Sequence, residues 1–301
     1  MKLIKQSFEI LDQQCGLEGI YKHIEMAGRT CYKSEDKITE DSAKEFVNRM
    51  IKSGHGAMLE HGTVYLEFNV KDLYIVGEDE YLNQQKKLNN LINKYSTNKY
   101  SIVKVNQYYN TVFITTNYRV LVENDWLDDL QYICEPTEYH EKKITVKFIT
   151  DQGILREFTR HRVFSFAVES TRYCNYTKDK FSNEITFIQP NWISDKDIEN
   201  YHMDFGYFTD QDTNHITAVN RFMSALKNAE YFYMELIKLG WKPQQARNIL
   251  PLATKCDMIM TGFVSDWLHF FGLRDTASAH PQAQELAHSL HETFIQRGLI
   301  K

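Results

Sequence analysis

A mixed fold of strands and helices, α/β of the α+β type, is what the sequence predicts. Three observations point to it. Short runs rich in β-branched and aromatic residues occupy 63–70, 111–123 and 143–150. Apolar residues recur at helical spacing in 41–55 and again through the C-terminal third. The composition, 43% hydrophobic and 25% charged, is that of a chain that buries a core. At 301 residues one large domain or two ordinary ones could form. No internal repeat or Gly/Ser linker divides the chain, so a single domain over 1–301 is expected.

In chain order, DSAKEFVNRMIKSGH (41–55) carries Phe46, Val47, Met50 and Ile51 on one helical face. Asp41 or Ser42 can cap its start, and Gly54 ends it. TVYLEFNV, TVFITTNYRVLVE and KITVKFIT read as three strands, antiparallel neighbours in one sheet. Between the first two, 78–101 is Asn- and Lys-rich and weakly patterned, which predicts a solvent-exposed excursion, in part helical. Its stretch 84–99 lacks the apolar residues for a core of its own, and 71–141 reads as an insertion. A polar connection spans 190–213. Then Ile216, Val219, Phe222, Met223, Leu226, Tyr233, Leu236 and Ile237 stripe a long helix that Gly240 stops. Pro243 opens QQARNIL, Ser265 or Asp266 can cap DWLHFFGLR, and Pro281 opens QAQELAHSLHETFIQR.

Charge and cysteine usage exclude several function classes. A net charge of −5 and a pI near 6.1 argue against a broad nucleic-acid surface, which needs a basic field. A single anionic small molecule stays open. The start, MKLIKQSFEILDQQCG, is too polar for a signal peptide, and no apolar run is long enough to cross a bilayer, so a cytoplasmic location is expected. Five scattered cysteines without a CxxC pair suggest reduced thiols and no metal centre.

RHRVFSFAVESTRY (160–173) is the stretch that carries chemistry. It holds Arg160, His161, Arg162 and Arg172 beside the hydroxyls of Ser165, Ser170 and Thr171. A solvated basic turn would need no Phe164, Phe166, Ala167 and Val168 to bury it. Buried cations require partners, and those partners should be anions. Elsewhere the bland reading holds its ground. Taken singly, His55 and His61 read as satisfied histidines at a helix end, His280 and His288 as surface residues, and Arg247 and Arg274 as surface ion pairs.

The joint pattern is more specific. RHR, seven residues, then Ser170 resembles the RHRx7S signature of the flavin-dependent thymidylate synthases, and GRTCY (28–32), GHGAMLEH (54–61), ARNILP (246–251) and LHFFGLR (268–274) follow that family's order. The resemblance implies a central antiparallel sheet flanked by helices, in a homotetramer with active sites shared between subunits. It implies FAD, NADPH and 5,10-methylenetetrahydrofolate as cofactors, and reductive methylation of dUMP to dTMP without an enzyme thiol.

By the same resemblance His55, Glu60, Arg160, His161, Arg162 and His269 would hold the flavin. Glu157, Arg160, Glu169, Ser170, Thr171, Arg172, Arg247 and Arg274 would bind dUMP. Arg274 and Ser170 would serve the chemistry. The chain departs from the family pattern at Ala57, Val168, Phe263 and Ser265, where polar flavin contacts are usual. Two other readings stand beside this one: an RNA- or nucleotide-binding module, and a flavin oxidoreductase of the same fold without methyl transfer. Bound flavin separates the first and dependence on dUMP the second.

Overall fold

The computed structural model describes residues 1–71, 73–199 and 217–300. Ile216 and the part of the polar connection from 200 to 213 lie outside the described residues. Strands β1 (Lys2–Ile4) and β2 (Ser7–Leu11) precede a long helix α1 (Gly16–Tyr32), then α2 (Ser42–Lys52), the one-turn α3 (Gly56–Leu59) and β3 (Thr63–Asn69). Next come α4 (Leu73–Val76), α5 (Glu78–Ser96), β4 (Ile102–Asn106), β5 (Thr111–Asn117) and α6 (Tyr118–Glu123). β6 (Lys143–Asp151), α7 (Gln152–Phe158) and β7 (Ser165–Val168) frame the RHR stretch. β8 (Thr186–Ile188), α8 (Asp195–Glu199), α9 (Ala218–Lys238), α10 (Pro243–Ala246), β9 (Lys255–Phe263), α11 (Val264–Arg274) and α12 (Pro281–Gln296) follow.

Among the described residues the strands form three sheets: a parallel pair β1–β8, a four-stranded β2-β6-β9-β7 and a three-stranded β3-β5-β4, the latter two antiparallel. The three strands expected in one sheet are therefore divided. β3 and β5 pair from Thr63↔Asn117 to Asn69↔Thr111, whereas β6 pairs with β9 from Lys143↔Phe263 to Asp151↔Lys255. The second run also ends early. The Asn117 side chain accepts from the Val120 amide and so starts α6 where a strand was expected to continue.

The 78–101 excursion is corrected as well. Its Leu88, Leu91 and Tyr95, spaced on one face of α5, are buried in a core shared with α1, α2, β3, β5 and α6. Three apolar residues make a stripe too narrow to stand out among Asn and Lys. The Tyr95 hydroxyl donates to Asp129 Oδ2 (2.7 Å), which secures the end of that helix.

In the four-stranded sheet, alternation sorts the side chains into two faces. Val146, Phe148, Met258 and Met260 point to one side, where Trp267, Phe270 and Phe271 of α11 and Leu286, Leu290 and Phe294 of α12 close a core. Ala167 and Ile259 point to the other side and pack on Ala27 of α1, small residues that let the helix approach. Pro281 and Pro243 open α12 and α10, and Gly240, at φ +96°, follows the end of α9. α11 begins at Val264, with the Asp266 carboxylate accepting from the Phe263 amide. No helix among the described residues is long and apolar enough to cross a membrane. The edge strand β7 is the element that matters next, since the RHR turn enters it and the STR turn leaves it.

Candidate active site

Local sequence builds the entry to β7. The Asp151 carboxylate caps α7 by accepting from the Ile154 amide (2.8 Å) and is held in turn by Gln282 Nε2 (3.0 Å). After α7 the chain turns through RHR, with the His161 amide bonding the Phe158 carbonyl and the Phe164 amide the His161 carbonyl. Phe164 anchors the turn, its ring 4.7 Å from that of Trp267 and edge-on to it. Gly262 makes room for it, because a Cβ there would lie 2.4 Å from the Phe164 ring. The expectation that the apolar neighbours bury these cations is corrected: His161 and Phe164 are buried, but Arg160, Arg162 and Val163 are exposed at the surface, because the turn directs Phe164 into the core and the flanking side chains outward.

Arg274, the last residue of α11, reaches back to this turn. Its Nη1 donates to Glu157 Oε2 (2.7 Å), its Nη2 to the Glu157 carbonyl (2.9 Å) and its Nε to His161 Nε2 (2.9 Å). Three of five guanidinium N–H donors are thereby used and two remain. His161 accepts at Nε2, so its proton sits on Nδ1. Burial, then the Arg274 and His269 charges, lower its pKa to about 4, and the ring is neutral at pH 7. His269 is exposed on α11 with its ring 6.5 Å from that of His161.

A second group forms where β7 ends. Ser170, Thr171 and Arg172 make a tight turn in which the Tyr173 and Cys174 amides both bond the Ser170 carbonyl (3.0 Å). The helical segment after Pro243 faces it. Arg247 Nη1 lies 3.4 Å from Thr171 Oγ1, and Arg172 Nε lies 3.4 Å from Gln244 Oε1. Both contacts are long and made to neutral groups. No carboxylate pairs with Arg160, Arg162, Arg172 or Arg247 among the described residues. In a chain with an excess of acidic side chains, four exposed guanidinium groups without an anion are a set of open donors.

The predicted residues are thus brought together in two groups, Glu157, His161, His269 and Arg274 with the RHR turn, and Ser170, Thr171, Arg172 and Arg247. No hydrogen bond or ion pair joins the two among the described residues. His55 and Glu60 stand apart from both. His55 lines a cavity of about 820 Å³ with Arg29, Tyr32, Arg49 and Lys180, while Glu60 accepts from Arg119 Nη1 (2.5 Å). His61 is buried and bonded through Nδ1 to Thr261 Oγ1 (2.8 Å), but its buried Nε2 has no hydrogen-bond partner among the described residues, so it is not the fully satisfied histidine expected. His280 caps α12 through its Nδ1.

Glu169 is held by the protein: its carboxylate is buried and bonded to Lys255 Nζ (2.8 Å) and the Asp257 amide (3.2 Å), and with Lys33 and Lys255 it lines a cavity of about 520 Å³. Of the family-variant positions, Ala57 is exposed on α3, Val168 pairs with Met258, and Phe263 lies under Lys143 Nζ at 5.3 Å. Cys174, two residues beyond Arg172, is buried, and burial with the nearby Glu169 charge pushes its thiol up to about 12. That is the opposite of an activated nucleophile. The residues that sequence reasoning passed over are Lys33, Lys255 and Asp257, lysines and a carboxylate in no recognisable motif.

The chain is similar to several known proteins. A protein of Haloarcula marismortui named flavin-dependent thymidylate synthase is 25% identical over 162 residues, 52% of this chain and 64% of that protein. One of the same name from Synechocystis is 27% identical over 153 residues, 51% of this chain and 66% of its own length. The chain thus matches just under two thirds of these curated relatives. A crystal structure of the UMP/dUMP methylase PolB from Streptomyces cacaoi bound with 5-Br dUMP aligns with 98% of this chain and 93% of its own, at 16% identity and a TM-score of 0.42. The model of the family described as thymidylate synthase complementing protein matches residues 136–297, from just before β6 to the end of α12, and with that match over more than half of its length the chain belongs to that family.

Proposed function

We propose that this chain is a flavin-dependent thymidylate synthase, converting dUMP to dTMP with 5,10-methylenetetrahydrofolate as carbon donor and NADPH as reductant. The observation that carries the reading is that Arg160 and Arg162 before β7, and Arg172 and Arg247 at the turn beyond it, are exposed and paired with no carboxylate among the described residues. The relatives' shared name supports it.

The donors at the RHR end suit FAD. Arg160 and Arg162 offer planar, permanently charged forks that match a pyrophosphate, and His161 and His269 add ring donors beside them. Bound FAD would supply the hydride that completes the new methyl group. At the STR end the Ser170 and Thr171 hydroxyls with Arg172 and Arg247 suit the phosphate and sugar of dUMP. Arg274 has the chemical role. Held by Glu157 and by neutral His161, it keeps two donors for the uracil edge, where a fixed cation stabilises negative charge developing on the ring and makes C5 a better nucleophile. Active sites shared between the subunits of a homotetramer would bring His55 and Glu60, which stand apart within one chain, toward a neighbour's flavin.

The visible spectrum of the purified protein tests the reading. A flavin band that NADPH bleaches, followed by dTMP formation on addition of dUMP and methylenetetrahydrofolate, is expected. Colourless protein that takes up no FAD would overturn it.

A further inference from the structure

Behind the STR turn lies a buried cluster of charge that belongs to none of the groups above. Glu169 and Asp257 are 3% and 2% exposed. Lys255 Nζ is 2.8 Å from Glu169 Oε2 and 2.5 Å from Asp257 Oδ1, and Lys33 pairs with the other Asp257 oxygen. Lys147 Nζ stands 3.6 Å from Asp257 Oδ2, and Glu35 Oε1 3.4 Å from Lys33 Nζ. Three ammonium groups thus meet three carboxylates. Burial would raise the Asp257 pKa, but Lys255 and Lys33 outweigh it and hold the carboxyl below its ordinary range.

The cluster sits where three pieces of backbone meet. The Glu169 amide donates to the Asp257 carbonyl (2.8 Å) on β9, and the next amide, Ser170, donates to the Cys31 carbonyl (3.0 Å). Cys31 is in the last turn of α1, where helix carbonyls lack intrahelical partners. Lys33 caps that helix in the left-handed conformation, at φ +49°, and its side chain crosses to Asp257. The root of the STR turn is therefore bonded to two elements, and the ion pairs lock those elements to each other and to the root.

Such a cluster is a poor source of stability, because desolvating its charges consumes most of what the attraction returns. Its physical effect is on geometry, since an off-register arrangement would bury an uncompensated charge. We infer that Lys255 is a positioning residue for the nucleotide turn, acting with Lys33 and Asp257 through Glu169 to fix the direction in which Ser170, Thr171 and Arg172 leave β7. The inference rests on the proposed function for the identity of the ligand, and on the structure alone for the turn.

The test combines amide hydrogen exchange with a dUMP titration of the FAD-loaded protein. In Lys255→Met the Ser170 and Cys174 amides should exchange at least tenfold faster than in the parent without any ligand. The Kd for dUMP should rise tenfold or more, with FAD retained and kcat at saturating dUMP within threefold. Lys255→Arg should return both quantities to within threefold of the parent. Lys33→Met attacks the same cluster from α1, with a three- to fivefold effect expected, and serves if Lys255→Met does not fold. Unchanged exchange and dUMP affinity in either folded variant would overturn the inference. So would loss of dUMP and FAD affinity in step with a lowered Tm, which marks structural support alone. A parent that binds no dUMP contradicts the proposed function instead, and the exchange rates still decide this one.

Discussion

Positive charge around β7 is treated in two opposite ways. Arg160 and Arg162 before the strand, and Arg172 and Arg247 at the turn beyond it, are exposed, and no carboxylate among the described residues pairs with them. Behind that turn, Lys255 and Lys33 are largely buried and each is matched to Asp257, with Glu169 also held by Lys255. The difference separates charge that completes the fold from charge left for a ligand. Proximity in sequence does not tell the two apart, since Glu169 is one residue from Ser170 and faces inward. Arg274 combines both cases, with three donors committed to Glu157 and His161 and two uncommitted.

Arg274 is where the comparison predicts the largest effect. Arg274→Ala should lower kcat by about a thousandfold, the scale set by removing a donor from developing charge. Arg274→Lys should not restore it, because a point charge cannot reach Glu157 and His161 and still leave directed donors. Steady-state turnover of both variants checks this, and near-parental turnover of Arg274→Lys would show that charge alone suffices. The next effect belongs to the RHR end. A charge-assisted hydrogen bond contributes roughly 1.5–3 kcal/mol, so Arg162→Ala should weaken FAD binding by about one to two orders of magnitude. Flavin fluorescence on titration of the apo-protein measures it, and an unchanged FAD affinity would mean that the exposed arginine awaits something else.

The sequence made part of this visible and hid the rest for physical reasons. The RHR turn could be read because its cause is local: Phe164 lies two residues from Arg162 and its burial decides where the cations stand. α9 and α12 followed from apolar spacing with Gly240 and Pro281 as punctuation. The separation of β6 from β3 and β5 was not legible, since strand runs carry no mark of which sheet they join. α5 was misread because Leu88, Leu91 and Tyr95 are few among polar neighbours, yet all three are buried. The Lys255 cluster left no pattern at all. Its members pair across 86 and 224 residues of sequence, and a lysine in a strand looks the same whether it faces water or Glu169.

On the proposed function, the exposed arginines of the RHR and STR turns, paired with no carboxylate among the described residues, await ligands, and the STR end takes the nucleotide. Titration of FAD-loaded Arg172→Ala with dUMP, followed in the flavin spectrum beside the parent, tests it most directly. This variant is expected to keep its flavin and to bind dUMP about ten- to a hundredfold more weakly, the loss of one charge-assisted contact. Parental affinity for dUMP in a folded, flavin-bearing Arg172→Ala would contradict it, and the nucleotide would then have to be held elsewhere than at the Ser170–Arg172 turn.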